Sequence, residues 1–259
     1  MDPLRISLVQ YDIIWEDANS NRLKLDQLLN SLKGKTDIIL LPEMFTTGFS
    51  MNARELAEKM DGNSLKWMQL QASLTGAAIA GSLIIEENNH YYNRFLFVTP
   101  EGKIFSYDKR HLFSIGGENQ YFTPGKKRVV FHYSGWNIAL FICYDLRFPV
   151  WSRTVREADL MLFTANWPEN RKNVWQTLLR ARAIENQLYT VGVNRTGQDG
   201  SGIVHFGGST VIDPKGKKII ELADQPGTVE TVSLSLEELN RFRKKFPVYL
   251  DADSFKISD

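Results

Sequence analysis

The chain contains one thiol, Cys143, and it closes an apolar run, Asn137 to Ile142. A lone cysteine more often packs as a small hydrophobe than reacts. Here the next residues, Tyr144-Asp145-Leu146-Arg147-Phe148-Pro149, turn abruptly polar, and a helix is expected to begin near Val150. A thiol between a strand end and a helix N-terminus meets unpaired backbone N–H groups. Such groups lower a thiol pKa and hold a developing oxyanion. The placement follows the logic of a nucleophile elbow, although the residues differ.

A cysteine nucleophile needs a base. None of the four histidines, His90, His111, His132 and His205, stands in a setting that marks it as one, and their spacing gives no metal motif. Glutamate is the other option. Glu43 leaves the apolar run Ile38 to Leu41 through Pro42 and precedes Met44-Phe45. Desolvation there raises a carboxyl pKa toward the value a base needs; a solvated loop carboxylate fits the same run equally well. Lys109 closes Ile104 to Asp108. An edge-strand charge is the commoner role for such a lysine, and a cation at a strand end equally polarises a carbonyl. Glu118, in Gly116-Gly117-Glu118-Asn119-Gln120, reads alone as an exposed loop acid. Taken together, an acid, a cation and a thiol end three different apolar runs, and strand ends on one sheet edge are where α/β folds assemble sites.

The elements that must position them are legible as short apolar runs. Strands are expected at 5–10, 37–41, 77–85, 94–99, 103–109, 129–133, 138–145, 160–166, 189–194, 208–213 and 216–222. Pro100-Glu101-Gly102, Ser134-Gly135 and Asp213 to Gly216 read as hairpin turns. Apolar residues at helical spacing predict helices over 19–32, 64–74 and 173–186. Strands mixed with helices and hairpins suggest an α-β-β-α sandwich of two mixed sheets, with a doubly wound single sheet as the competitor; periodicity does not separate the two.

Composition narrows the function classes. The 259 residues are 43% hydrophobic and 24% charged, the balance of an ordinary globular chain, and no linker or charge block divides them, so a single domain over 1–259 is expected. A net charge of +1 argues against nucleic acid or anionic lipid as partner. The runs Lys126-Lys127-Arg128 and Arg241 to Lys245 are read as solvated faces. One cysteine forms no internal disulfide. Met1 to Arg5 carries no leader pattern and no apolar run reaches spanning length. The cytoplasm is the expected compartment.

Three ordered motifs carry a resemblance: Leu41-Pro42-Glu43, Tyr107-Asp108-Lys109-Arg110-His111-Leu112-Phe113, and Cys143 to Pro149, supported by Arg180 to Asn186 and Gly207 to Thr210. With these the sequence resembles the nitrilase superfamily of carbon–nitrogen hydrolases, from the first strand to about Val232. The resemblance implies the α-β-β-α sandwich and a triad of Glu43 as general base, Lys109 as oxyanion-stabilising cation and Cys143 as nucleophile. It maps a second, orienting glutamate onto Glu118. It implies no metal or organic cofactor, and a homodimer formed through the helix after Pro149, the 173–186 helix and the tail 236–259. Thr164 to Pro168 and Val191 to Arg195 are similar to the ω-amidase branch, whose members hydrolyse 2-oxoglutaramate and 2-oxosuccinamate. A thioester mechanism then places the Tyr144 backbone N–H at the oxyanion. A dicarboxylate-like substrate calls for Arg147, Asn166 and Trp167 in the pocket, with Phe45 as an apolar wall. Competing expectations are another branch (a deaminated glutathione amidase, an N-carbamoyl hydrolase or a nitrilase) and a non-catalytic binding member.

Overall fold

The apolar runs sort their side chains in two directions, and this sorting builds the layers. The computed structural model describes residues 3–154 and 156–257. In chain order its strands are β1 Leu4–Gln10, β2 Ile38–Leu40, β3 Ala78–Glu87, β4 His90–Val98, β5 Ile104–Asp108, β6 Val130–Tyr133, β7 Trp136–Ile142, β8 Leu160–Ala165, β9 Tyr189–Asn194, β10 Thr196–Gln198, β11 Val204–Phe206, β12 Thr210–Ile212, β13 Lys218–Glu221 and β14 Thr228–Leu234. The helices are α1 Ala18–Leu29, α2 Ala53–Leu56, α3 Asn63–Thr75, α4 Lys172–Asn186 and α5 Leu236–Lys245.

One six-stranded sheet has the order β14-β1-β2-β3-β4-β5 and the other β13-β12-β9-β8-β7-β6. Three adjacent strands run parallel in each, β1-β2-β3 and β7-β8-β9, with antiparallel neighbours outside them. Ile6, Leu8, Ile38 and Leu40 face Leu140 and Leu162 across the sheet–sheet core. Val9, Ile39 and Leu41 face the opposite way, onto Leu25 and Leu29 of α1 and Met68 and Ala72 of α3. On the far side α4 lays Trp175, Leu179 and Ala183 against the second sheet. That contact needs Gly192 in β9, because a Cβ there would meet Leu179 at 2.6 Å and Trp175 at 2.7 Å. The layers are therefore helix, sheet, sheet, helix, the expected sandwich rather than one doubly wound sheet.

Four local expectations are corrected. The run 138–145 does not stay extended to Asp145: the strand stops at Ile142, and Cys143–Arg147 forms a 3-10 turn. Among the described residues no helix starts near Val150; turns follow Phe148 through Ser152. Pro149 disfavours helical backbone at Phe148, which adopts φ −111° and ψ 89°. Side chains then take up the backbone groups, Ser152 Oγ donating to Phe148 O (3.1 Å) and Thr154 N to Asn186 Oδ1 (2.9 Å). The basic run Arg241 to Lys245 is the last part of α5, and Arg243 is no solvated charge: it pairs with Asp159 at 2.7 Å and donates to Ala158 O and Gln187 O. Arg128 likewise donates to Arg153 O at 2.7 Å. Residues 258 and 259 of the expected tail lie outside the described residues.

Candidate active site

Four strand exits converge. Glu43 follows β2, Lys109 follows β5, Cys143 follows β7 and Asn166 follows β8. Two exits belong to each sheet, so the site lies on the seam between them.

Lys109 is the hub. Its Nζ donates to Glu43 Oε1 (2.8 Å) and to Glu118 Oε1 and Oε2 (3.0 and 2.9 Å), with all three side chains fully buried. Asn93 of β4 donates through Nδ2 to Glu43 Oε1 (2.8 Å) and Glu118 Oε1 (3.2 Å). The second oxygen of Glu43 accepts from the Asn166 backbone N–H (2.9 Å), and Asn166 Nδ2 donates to Glu43 O (2.6 Å). Glu118 Oε2 accepts from Phe113 N at 2.6 Å. A buried ammonium with two carboxylates is tolerable only because every charge has several partners. Glu118 is thus no exposed loop acid.

Electrostatics follow the same contacts. Burial alone would lower the Lys109 pKa, but Glu118 and Glu43 outweigh it and hold the ammonium above its ordinary range. Burial raises Glu118, opposed by Lys109 and reinforced by Glu43. The Cys143 thiol is held well above its ordinary value, by burial first and by the neighbouring Glu43 carboxylate second, with Lys109 pulling the other way. A neutral thiol beside a carboxylate acceptor is the starting state of general-base attack.

The elbow is tied down by Asp145. Cys143 has φ +43°, a left-handed conformation that a non-glycine residue adopts only when its surroundings impose it. Asp145, fully buried, accepts from Ile142 N (3.1 Å) and Tyr107 Oη (2.7 Å) on one oxygen and from His111 N (3.0 Å) and Nδ1 (2.8 Å) on the other. The Lys109 and Cys143 motifs are thereby one hydrogen-bonded unit. From behind, Arg182 of α4 donates to Leu146 O at 2.6 Å.

The thiol opens on a cavity of about 270 Å³. Tyr144, Arg147, Asn166 and Trp167 line it together with Glu43, Lys109 and Cys143. Asn194 fixes Trp167 by accepting from its N (2.7 Å) and donating to its O (3.0 Å). Phe45 does not reach the cavity. Met44 (φ +43°) turns the chain, so Phe45 packs on Trp67 in the core beneath α3, and Phe49 supplies the wall instead, 4.9 Å from Lys109 Nζ. Sequence reasoning also missed Asn93, Trp15, Phe113, Arg171 and His205. His205 is buried beside the cavity, its pKa pushed down to about 4 by burial and by Arg195, so its imidazole is neutral near pH 7.

A family model described as carbon-nitrogen hydrolase matches residues 5–244. The chain is 44% identical to an omega-amidase, YafV, of Yersinia enterocolitica over 99% of this chain and 100% of that one. It is 34% identical to a 2-oxoglutaramate amidase of Bacillus subtilis, over 95% and 96% of the two chains. A solved structure from Xanthomonas campestris, XC1258, described as a CN-hydrolase superfamily protein with an arsenic adduct in the active site, superposes with TM-score 0.97 at 44% identity over the whole of both chains.

Proposed function

The chain belongs to the carbon–nitrogen hydrolase family, and on that premise we propose that it is an ω-amidase, releasing ammonia from the terminal amide of 2-oxoglutaramate or 2-oxosuccinamate. One observation carries the chemistry: a buried Glu43–Lys109–Glu118 ion cluster adjoins the neutral thiol of Cys143 at the floor of a small cavity. Full-length similarity to the omega-amidase and the 2-oxoglutaramate amidase supports the substrate class.

The residues divide the work as follows. Glu43 accepts the thiol proton while Cys143 sulfur bonds to the amide carbon. The carbonyl oxygen becomes an oxyanion, held by the Lys109 ammonium and the Tyr144 N–H at the start of the 3-10 turn. The Glu43 proton passes to the leaving nitrogen as the C–N bond breaks, and ammonia departs. Glu43 then takes a proton from water, which adds to the thioester carbon; the C–S bond breaks, the acid is released and the thiol regains its proton. Glu118 keeps Lys109 charged and in place throughout. Arg147 is laid over the Trp167 ring at 5.5 Å and has no carboxylate within ion-pair distance among the described residues, which leaves it for the substrate carboxylate.

Ammonia release from 2-oxoglutaramate by wild type beside Cys143→Ala tests this. Turnover by wild type and none by the variant is expected. Full activity in Cys143→Ala sinks the mechanism, and an inactive wild type sinks the substrate.

A homodimer working in the cytoplasm completes the reading. Among the described residues no helix is long and apolar enough to cross a membrane. Exposed apolar side chains, Val150, Ile184, Phe246 and Leu250, lie on α4 and the segments after Pro149 and α5, where the family resemblance puts the dimer contact.

A further inference from the structure

Four arginines of this protein that are largely withdrawn from water, Arg94, Arg182, Arg195 and Arg243, each bond a carboxylate. Two that line the cavity do not. Arg147 and Arg171 have no carboxylate within ion-pair distance among the described residues, and each instead lies over an aromatic ring, Arg147 over Trp167 at 5.5 Å and Arg171 over Phe113 at 5.0 Å. Their bases are linked, since Trp167 Nε1 donates to Arg171 O at 3.0 Å. Of the two acids on the cavity wall, Glu43 is paired with Lys109, and Asp199 Oδ1 accepts from the backbone N–H groups of Ser201 and Ile203 at 2.9 and 3.0 Å. Two guanidinium groups held on one cavity, neither in ion-pair contact with a carboxylate, repel each other, and the cost is offset when an anion with several acceptors enters.

A single carboxylate needs one guanidinium fork. We propose that Arg171 is the second fork, and that it distinguishes a 2-oxo acid amide from the corresponding 2-amino acid amide. This rests on the ω-amidase reading with Arg147 at the carboxylate. A vicinal oxo oxygen extends the acceptor edge of that carboxylate, so Arg171 donates to it. In L-glutamine the same position carries an ammonium, which brings a cation against a cation. The residue therefore works by attraction to one substrate and repulsion of its amino analogue.

The experiment measures kcat and KM of the full chain and of Arg171→Met and Arg171→Lys on three amides: 2-oxoglutaramate, glutaramate (hydrogen at carbon 2) and L-glutamine. Arg171→Met is expected to raise KM for 2-oxoglutaramate about 10- to 100-fold with little change in kcat. Glutaramate should change by less than about threefold, and L-glutamine should improve relative to 2-oxoglutaramate by about 10-fold or more. Arg171→Lys keeps the charge but loses the fork, so it should still reject L-glutamine while binding 2-oxoglutaramate weakly. The iodoacetamide labelling rate of Cys143 should match wild type in both variants. Equal losses on 2-oxoglutaramate and glutaramate, no loss on either, or slowed labelling of Cys143 overturns the role of Arg171. Wild type that is active on glutaramate but not on 2-oxoglutaramate overturns the ω-amidase reading and this inference with it.

Discussion

Cys143 holds its proton at rest because burial and Glu43 both disfavour the thiolate. A group raised in this way ionises only as pH climbs past its ordinary value. Labelling of Cys143 by iodoacetamide is therefore expected to rise with pH and not to level off below about pH 8.5, the usual thiol value. Glu43→Gln removes the base together with the charge that raises the thiol pKa. Ammonia release should fall about 100- to 10,000-fold, while labelling at pH 8 holds or increases. A plateau at neutrality in wild type would mean a preformed thiolate paired with Lys109. The residues proposed to react were legible because each ends an apolar run. Asn93 was not, since a polar residue in mid-strand has no local signal; only the pairing of β3 with β4 brings it to Glu43. The expectation that Phe45 forms the apolar wall failed for a similar reason: Phe49 lies four residues further on, and the turn at Met44 decides which of them faces the cavity.

The strand exits hold their side chains only if the loops beyond them are fixed. Asp145 does this for the elbow with four hydrogen bonds in a dry setting. Asp145→Ala leaves those donors unpaired. A loss of about 3 kcal/mol in stability is expected, seen as a fall of roughly 6 to 12 °C in Tm for a chain of this size. Activity should drop further than stability does at 25 °C, because the left-handed Cys143 loses its restraint. A variant with unchanged Tm and full turnover would show that the elbow holds itself. Elements with continuous apolar runs, β7, β8 and β9 among them, were readable because parallel strands covered on both faces carry such runs. Strand β14 alternates Val with Thr and Glu at a sheet edge, and α5 buries only Leu239, so neither has a core stripe long enough to see.

At the scale of the molecule, the first and last strands meet. β1 pairs with β14 from Leu4↔Leu234 to Gln10↔Thr228, and α5 follows directly, anchored by Arg243 on Asp159. Among the described residues the stretch beyond Phe246 contributes exposed Leu250, Phe255 and Ile257 and no buried side chain. Deleting residues 247–259 should therefore leave the fold and its far-UV spectrum intact and, on the proposed dimer, shift sedimentation from a two-chain toward a one-chain mass. An unchanged two-chain mass would place the contact elsewhere, and a one-chain mass in wild type would sink the dimer. Because acid and cation hang from one sheet and the thiol from the other, the crossing bonds Asn166–Glu43 and Tyr107–Asp145 exist only after the two sheets have docked. A newly made chain with native-like secondary structure but undocked sheets carries an unactivated thiol. Its hydrolytic power arrives in the final step of folding, so recovery of turnover after dilution from denaturant works as a clock for sheet docking that spectroscopy of helices and strands would read too early.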